Sequence, residues 1–135
     1  MLLRNKKAHD ENEGKWIGVG GKLEKGEAPH ECVCREVREE TGLKLTDYKF
    51  RGMVSFVSDI WEDELMLLYE ATGFEGELKA DCDEGTLRWI EREKVMDLPL
   101  WEGDRLFLEK LLQTDEMIYM KLVYHGDELA YTALF

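Results

Sequence analysis
The chain has 135 residues, 44% of them hydrophobic and 36% charged. Such a length and composition suit one domain with a core of its own, and exclude a disordered or fibrous chain. A net charge of −12 argues against holding a nucleic-acid polymer by bulk electrostatics, although an acidic protein still handles phosphates when cations stand between its carboxylates and the ligand.

In chain order, Met1 to Lys7 is too poor in apolar residues for a secretory signal. No run of about 18 apolar residues follows it, so a cytoplasmic location with no membrane partner is expected. Met1 to Arg4 reads as a strand. Gly14 to Gly21 holds four glycines around Trp16, Ile17 and Val19, the pattern of a short strand entering a tight loop. A helix is predicted over Pro29 to Thr41, with proline at the first helical position and Gly42 supplying the left-handed stop. Strands follow at Leu45 to Val57, Leu65 to Thr72 and Thr86 to Ile90; Glu93 to Leu98 is too short to assign. Asp104 to Leu112 reads as a second helix whose apolar face carries Leu106, Phe107, Leu108, Leu111 and Leu112, with Asp104 suited to cap its start. Met117 to Tyr124 and Leu129 to Leu134 read as a hairpin turning at Gly126-Asp127. Cys32, Cys34 and Cys82 are odd in number and badly spaced for a shared metal, and are expected as buried free thiols. No repeat or linker divides the chain, so a single α+β domain is expected over residues 1–135, with an α/β/α sandwich as its layered form.

The chemistry concentrates between Gly20 and Leu43. At about 100° per residue, Glu36, Glu39 and Glu40 fall on one stripe about a third of a turn wide. Val33 and Val37 lie to one side of it, where they can enter the core. Like charges at these spacings weaken an isolated helix by about 0.2–0.5 kcal/mol per pair, so a hard divalent cation is the natural counterweight. Gly18, Gly20 and Gly21 allow main chain to approach a ligand and turn a carbonyl toward a metal. Lys22 adds a point charge for phosphate. Arg35 has the geometry to hold Glu27 or another carboxylate through a bidentate pair. Any one of these glutamates is ordinarily a solvated surface charge; the ordered set describes metal-assisted hydrolysis.

The residues Gly21-x5-Glu27-x7-Arg35-Glu36-Val37-x-Glu39-Glu40-x-Gly42-Leu43 resemble the Nudix box at all nine of its positions. The resemblance implies the α/β/α sandwich of Nudix hydrolases, with a mixed sheet between helices. It also implies cleavage of a phosphoanhydride in a nucleoside diphosphate linked to another group, with Mg²⁺ as cofactor and Mn²⁺ as its substitute. It further implies that Glu36, Glu39 and Glu40 are metal ligands together with the Gly20 carbonyl, that Glu36 or Glu39 activates water, and that Glu27 and Arg35 support them.

Outside the box the chain resembles the MutT-type branch, which clears oxidised purine nucleoside triphosphates to the monophosphate and pyrophosphate. Asp83-Glu84, followed by Trp89, looks like the place where that branch adds a further metal carboxylate, making Glu84 a ligand. Trp101-Glu102-Gly103-Asp104 resembles the stretch that recognises the base through Trp101 and Asp104, with Phe56 as a pocket aromatic. Phe56 and Trp101 also suit plain core positions. Two departures are notable: Ile17 stands where the oxidised-guanine pocket often has asparagine, and Gly103 where it has a second acid. The resemblance also implies a strand and turn upstream of Met1, without which the strand at Met1 to Arg4 would leave a sheet edge open. The expected partner is a nucleotide bound by a monomer or homodimer, with no nucleic-acid polymer. Alternatives are a Nudix enzyme acting on ADP-ribose or dinucleoside polyphosphates, or a Nudix-like nucleotide sensor that no longer cuts. Four retained box glutamates weigh against the sensor, and the lack of proline over residues 44–98 weighs against the ADP-ribose branch.

Overall fold
A computed structural model of the chain describes residues 1–6 and 10–135; Lys7, the end of the opening segment, lies outside them. Among the described residues the chain forms eight strands, two α-helices and one 3-10 helix, an α+β fold. Two compact units are distinguished, Met1–Tyr48 with Ala71–Pro99, and Lys49–Glu70 with Leu100–Phe135.

In the first unit, β1 (Leu2–Arg4), β2 (Trp16–Ile17), β5 (Asp81–Cys82) and β6 (Gly85–Leu87) form an antiparallel sheet in the order β2-β1-β6-β5. Leu2 pairs with Ile17 on one side and Leu87 on the other. Backbone bonds from Arg4 N–H to the Lys15 carbonyl and from Gly14 N–H to the Arg4 carbonyl extend the ladder. The open edge expected beside Met1 to Arg4 is therefore corrected: β1 is paired on both sides. Leu2, Trp16 and Leu87 are buried, which anchors the short β2 that feeds the glycine loop.

Helix α1 spans Pro29–Thr41 with proline in its first turn, the bounds expected from the sequence. Its N-cap is Ala28, whose side chain accepts nothing, but the Glu31 carboxylate accepts from the Ala28 N–H at 3.0 Å. Gly42 closes the helix at φ 82°, and its N–H donates to the Arg38 carbonyl. The buried side chains are Cys32 and Thr41, whereas Val33 and Val37 are only half-buried. All three cysteines are free, and of them only Cys32 is fully buried.

The second sheet has the order β4-β3-β7-β8, built from β3 (Lys44–Ser58), β4 (Glu64–Glu75), β7 (Ile118–His125) and β8 (Glu128–Leu134). It is mixed, since β3 and β7 run parallel while β7 and β8 form the expected hairpin. On β7 the alternation is strict: Ile118, Met120, Leu122 and Tyr124 are buried. They pack with Val54, Leu68 and Phe107 into the second unit's core. Residues too short to assign from sequence form the 3-10 helix Arg92–Asp97. Helix α2 runs over Glu102–Gln113 with Trp101 at its N-cap, so Asp104 is not the cap but lies inside the first turn. Leu106 is exposed rather than part of the apolar face.

One polar group in this second unit stands out energetically. The Arg51 side chain is buried, and its guanidinium pairs with Glu70 at 2.8 Å. It also donates to the carbonyls of Leu111 at 3.3 Å, Thr114 at 2.7 Å and Glu116 at 3.1 Å, satisfying the last turn of α2 and the loop that leaves it. Only Nε lacks a partner. Replacing Arg51 by methionine strands several carbonyls and should cost on the order of 3 kcal/mol. Urea unfolding of Arg51→Met checks this; a loss below about 1 kcal/mol would show that the carbonyls find other donors.

Candidate active site
Within the first unit, β2 delivers the chain into the glycine loop, and α1 sets its acidic stripe against that loop. The two halves meet at Gly21, where an added Cβ would lie 2.3 Å from the carboxyl carbon of Glu36. A side chain there would push that carboxylate aside, a steric reason independent of backbone conformation.

Arg35 organises the helix side. Its Nε donates to Glu27 Oε2 at 2.7 Å and its Nη2 to Glu27 Oε1 at 3.0 Å, a two-pronged pair. Nη1 reaches Glu36 at 2.8 Å and Glu39 at 3.1 Å, and Nη2 also donates to the Lys22 carbonyl at 3.1 Å. The Arg35 hydrogen bonds hold the Glu27 carboxyl down at about 2. The same contacts, led by Glu27, raise the guanidinium above its ordinary value. Cys32 lies beneath, its thiol 3.8 Å from Arg35 Nη2 and pushed up by burial. The Lys22 side chain itself is exposed.

Glu40 sits differently. Burial first, then the charges of Glu84 and Glu36, push its carboxyl up to about 7, against the opposing Gly20 N–H and Arg4. Its Oε2 is buried and has no hydrogen-bond partner among the described residues. Glu84 in turn accepts from Arg4 Nη1 at 3.0 Å, while Arg4 Nε binds Asp10 at 2.6 Å. The sequence reading missed Arg4; only the pairing of β1 with β6 brings it beside Glu84, so no local spacing could have signalled it.

The structure thus gathers Glu36, Glu84 and the Gly20 N–H about Glu40, and Glu27, Glu36 and Glu39 around Arg35. Glu39 is mostly exposed, with 61% of its side-chain surface open. Among the described residues no acidic, His or Cys side chains already form a close cation cage. Yet the donor set fits a hard divalent ion: all oxygens, two neighbouring carboxylates raising a third, and a buried carboxylate oxygen left without a donor.

The remaining expected residues, Phe56, Trp101 and Asp104, lie in the second unit. Phe56 packs edge-on to Phe107 with ring centroids 6.5 Å apart, and Trp101 edge-on to Tyr124 at 5.4 Å. Both lean on the same apolar core. Asp104 is buried, and burial alone pushes its carboxyl up to about 7. The glycine before it has a physical reason: a Cβ on Gly103 would stand 2.6 Å from the Tyr124 hydroxyl and 2.7 Å from Leu122. The Gly103 N–H donates to that hydroxyl at 2.7 Å. Tyr124 fills the space that a second acid would need.

The model of the NUDIX domain matches residues 1–111. Over 115 residues the chain is 34% identical to the oxidized purine nucleoside triphosphate hydrolase of Danio rerio, covering 83% of this chain and 72% of that one. Over the same length it is 28% identical to the uncharacterized Nudix hydrolase YvcI of Bacillus subtilis, covering 82% and 73%. Its fold matches the crystal structure of a MutT protein from Bacillus halodurans with a TM-score of 0.87, at 33% identity over 98% of this chain and 87% of that one. Among the described residues, no helix is long and apolar enough to cross a membrane.

The electrostatics make a signed prediction for the metal-free chain. Glu40 and Asp104 both rest at about 7, against ordinary values of 4.5 and 3.8. The folded state therefore holds protons that the unfolded state has released, and the stability they contribute is present below about pH 4 and lost as pH rises through about 7. Glu27, held low, acts with the opposite sign but only below its ordinary 4.5. In EDTA, melting should fall between pH 5 and pH 8, and Asp104→Asn should flatten the fall by a part on the order of 3 kcal/mol or less. Equal or higher stability at pH 8 would contradict these assignments.

Proposed function
This chain belongs to the Nudix family and is a hydrolase of nucleotide anhydrides, and on that premise we propose that it converts a purine nucleoside triphosphate, oxidised purines included, to the monophosphate and pyrophosphate with Mg²⁺ as its cofactor and Mn²⁺ as a substitute. The observation that carries the reading is the partnerless buried oxygen of Glu40 among Glu36 and Glu84. The family match runs through both units, and we take them as parts of one domain. The nucleotide is the expected partner, the cytoplasm the expected location, and a monomer or homodimer the expected form.

In this reading Glu36, Glu40 and Glu84, with the Gly20 carbonyl, hold the cation. When bound, it supplies Lewis acidity toward phosphoryl oxygens and lowers the pKa of an attacking water. We assign to Glu39 the acceptance of that water's proton, because its carboxylate is exposed and tied to Arg35 through one oxygen only. It would also serve as a further carboxylate ligand to the cation. Arg35 and Glu27 fix the helix to the loop and keep Glu36 oriented. The exposed Lys22 ammonium meets the phosphates. Phe56 and Trp101 supply apolar ring surface for the base, and Asp104, kept partly protonated by burial, offers the base a donor as well as an acceptor. Similarity to a hydrolase of oxidized purine nucleoside triphosphates supports this substrate class. Ile17 offers the base no side-chain hydrogen bond, so discrimination between oxidised and normal purines rests on Asp104.

Two measurements check the proposal. Glu36→Gln and Glu40→Gln should each lower turnover with Mg²⁺ by about 100-fold or more, some 3 kcal/mol of transition-state stabilisation. Turnover within about threefold of the parent, near 1 kcal/mol or less, would remove the metal assignment. A substrate panel should rank 8-oxo-dGTP, dGTP and dATP above ADP-ribose and dinucleoside polyphosphates in kcat/KM, with pyrophosphate among the products. ADP-ribose in first place would overturn the substrate class and leave the family intact.

A further inference from the structure
We propose that the first unit carries a second ligand site, an open cleft whose wall meets the C-terminal end of α1 through Lys79 and that takes a planar aromatic ring bearing a phosphate, a ligand of the nucleoside monophosphate class. The cleft has a volume of about 540 Å³ and is lined by Phe74, Glu77, Lys79, Leu87, Arg88 and Trp89 among others. That size lies within the range of about 300–1,000 Å³ usual for small-molecule sites.

The aromatic pair is the first argument. Phe74 and Trp89 stack with centroids 5.1 Å apart and planes 29° from parallel, yet Phe74 is 48% and Trp89 63% exposed. Two large rings that merely filled a core would be covered. These two stack on each other and leave indole surface open, where one more flat ring extends the stack. The platform is also held in place from below. Leu87 is buried and its N–H donates to the Ala80 carbonyl at 3.0 Å, tying the two walls together. Arg88 and Met1 exchange backbone bonds in both directions, Arg88 N–H to Met1 at 3.1 Å and the Met1 amine to Arg88 at 2.7 Å. A ring landing there meets a surface that need not rearrange, which lowers the ordering cost of binding.

Charge is the second argument. In a chain of net charge −12, this cleft has two cations and one acid, Glu77, on its walls. Arg88, next to Trp89, is exposed and its guanidinium makes no ion pair among the described residues. Its planar fork suits phosphate oxygens bidentately. The Lys79 ammonium donates to the Glu39 carbonyl at 3.0 Å, which leaves further N–H donors for an anion. Ring surface and a free guanidinium side by side define the ligand: flat at one end, doubly anionic at the other. The same chemistry occurs in a free mononucleotide and at a 5′-phosphorylated RNA end. The acidic surface repels a polymer, so the free nucleotide is the expected occupant.

The test titrates AMP into the whole chain in EDTA, which withholds divalent ions from the acidic stripe, and follows tryptophan fluorescence and heat. Saturable binding with quenching is expected. Arg88→Glu and Trp89→Ala should each weaken it by about tenfold or more, while Arg88→Lys and Trp89→Phe retain most of it. Arg88→Glu should leave hydrolysis of the triphosphate within about twofold of the parent, which separates this site from the box. Absence of saturation up to about 5 mM, or parent-like AMP affinity in Arg88→Glu, overturns the proposal even if Trp89→Ala fails to fold. A 5′-phosphorylated oligoadenylate binding about tenfold tighter than AMP would assign the same ring-and-phosphate site to an RNA end, and weaker binding assigns it to the free nucleotide.

Discussion
Guanidinium groups stand beside the acidic stripe of α1 and offset its charge. Glu36, Glu39 and Glu40 share one face of a thirteen-residue helix, and their mutual repulsion works against that helix. Arg35 neutralises one side by gripping Glu27, Glu36 and Glu39 together with the Lys22 carbonyl. Arg4 does the same for Glu84 on the other side. Between them lies Glu40, its carboxyl pushed up to about 7 by burial and by Glu84 and Glu36 against the opposing Arg4 charge, with one oxygen unpartnered among the described residues. The remaining electrostatic deficit has the sign, hardness and donor set of a divalent-cation site. Gly21 belongs to the same constraint, since any side chain there would displace the Glu36 carboxylate.

How much of this was legible in the sequence depends on the range of the interaction. Helix α1 was readable to the residue because its limits are local: proline opens it and Gly42 turns left-handed after it. The glutamate stripe and the Arg35–Glu27 spacing are likewise helical geometry. The long-range partners were not readable. Arg4 reaches Glu84 through strand pairing across 80 positions, and Arg51 collects carbonyls from the end of α2 some 60 positions away. Two-residue strands such as β5 give no period to detect, and the pairing of β1 on both sides follows from partners far down the chain. Asp104 shows the limit of a propensity argument: aspartate favours the cap, but Trp101 occupies it and Asp104 lies within the first turn, buried.

Under the proposed function the second unit bears on the substrate rather than on the bond cut. Its departures from the resembled pattern are compensated within the unit, because the Tyr124 hydroxyl and Leu122 take the volume beside Gly103 that an acidic side chain would require. Tyr124 accepts from the Gly103 N–H and is pushed up to about 12, chiefly by burial, so it remains a neutral hydroxyl. One buried acid, Asp104, and one buried hydroxyl thus stand where two acids would otherwise lie. Under the proposed function, this exchange sets which hydrogen bonds a base can receive.

The central claim is that Glu40 is held ready for a cation, and proton-linked metal binding tests it most directly. A carboxyl resting at about 7 must give up its proton when a divalent ion arrives. Calorimetric titration of Mn²⁺ at pH 6.5, repeated in buffers of different ionisation enthalpy, reads that release. The account predicts a clear fraction of a proton released per ion bound, with Glu40→Gln binding at least about tenfold more weakly and releasing markedly less. Tight Mn²⁺ binding with no proton release, or binding unchanged in Glu40→Gln, would contradict it.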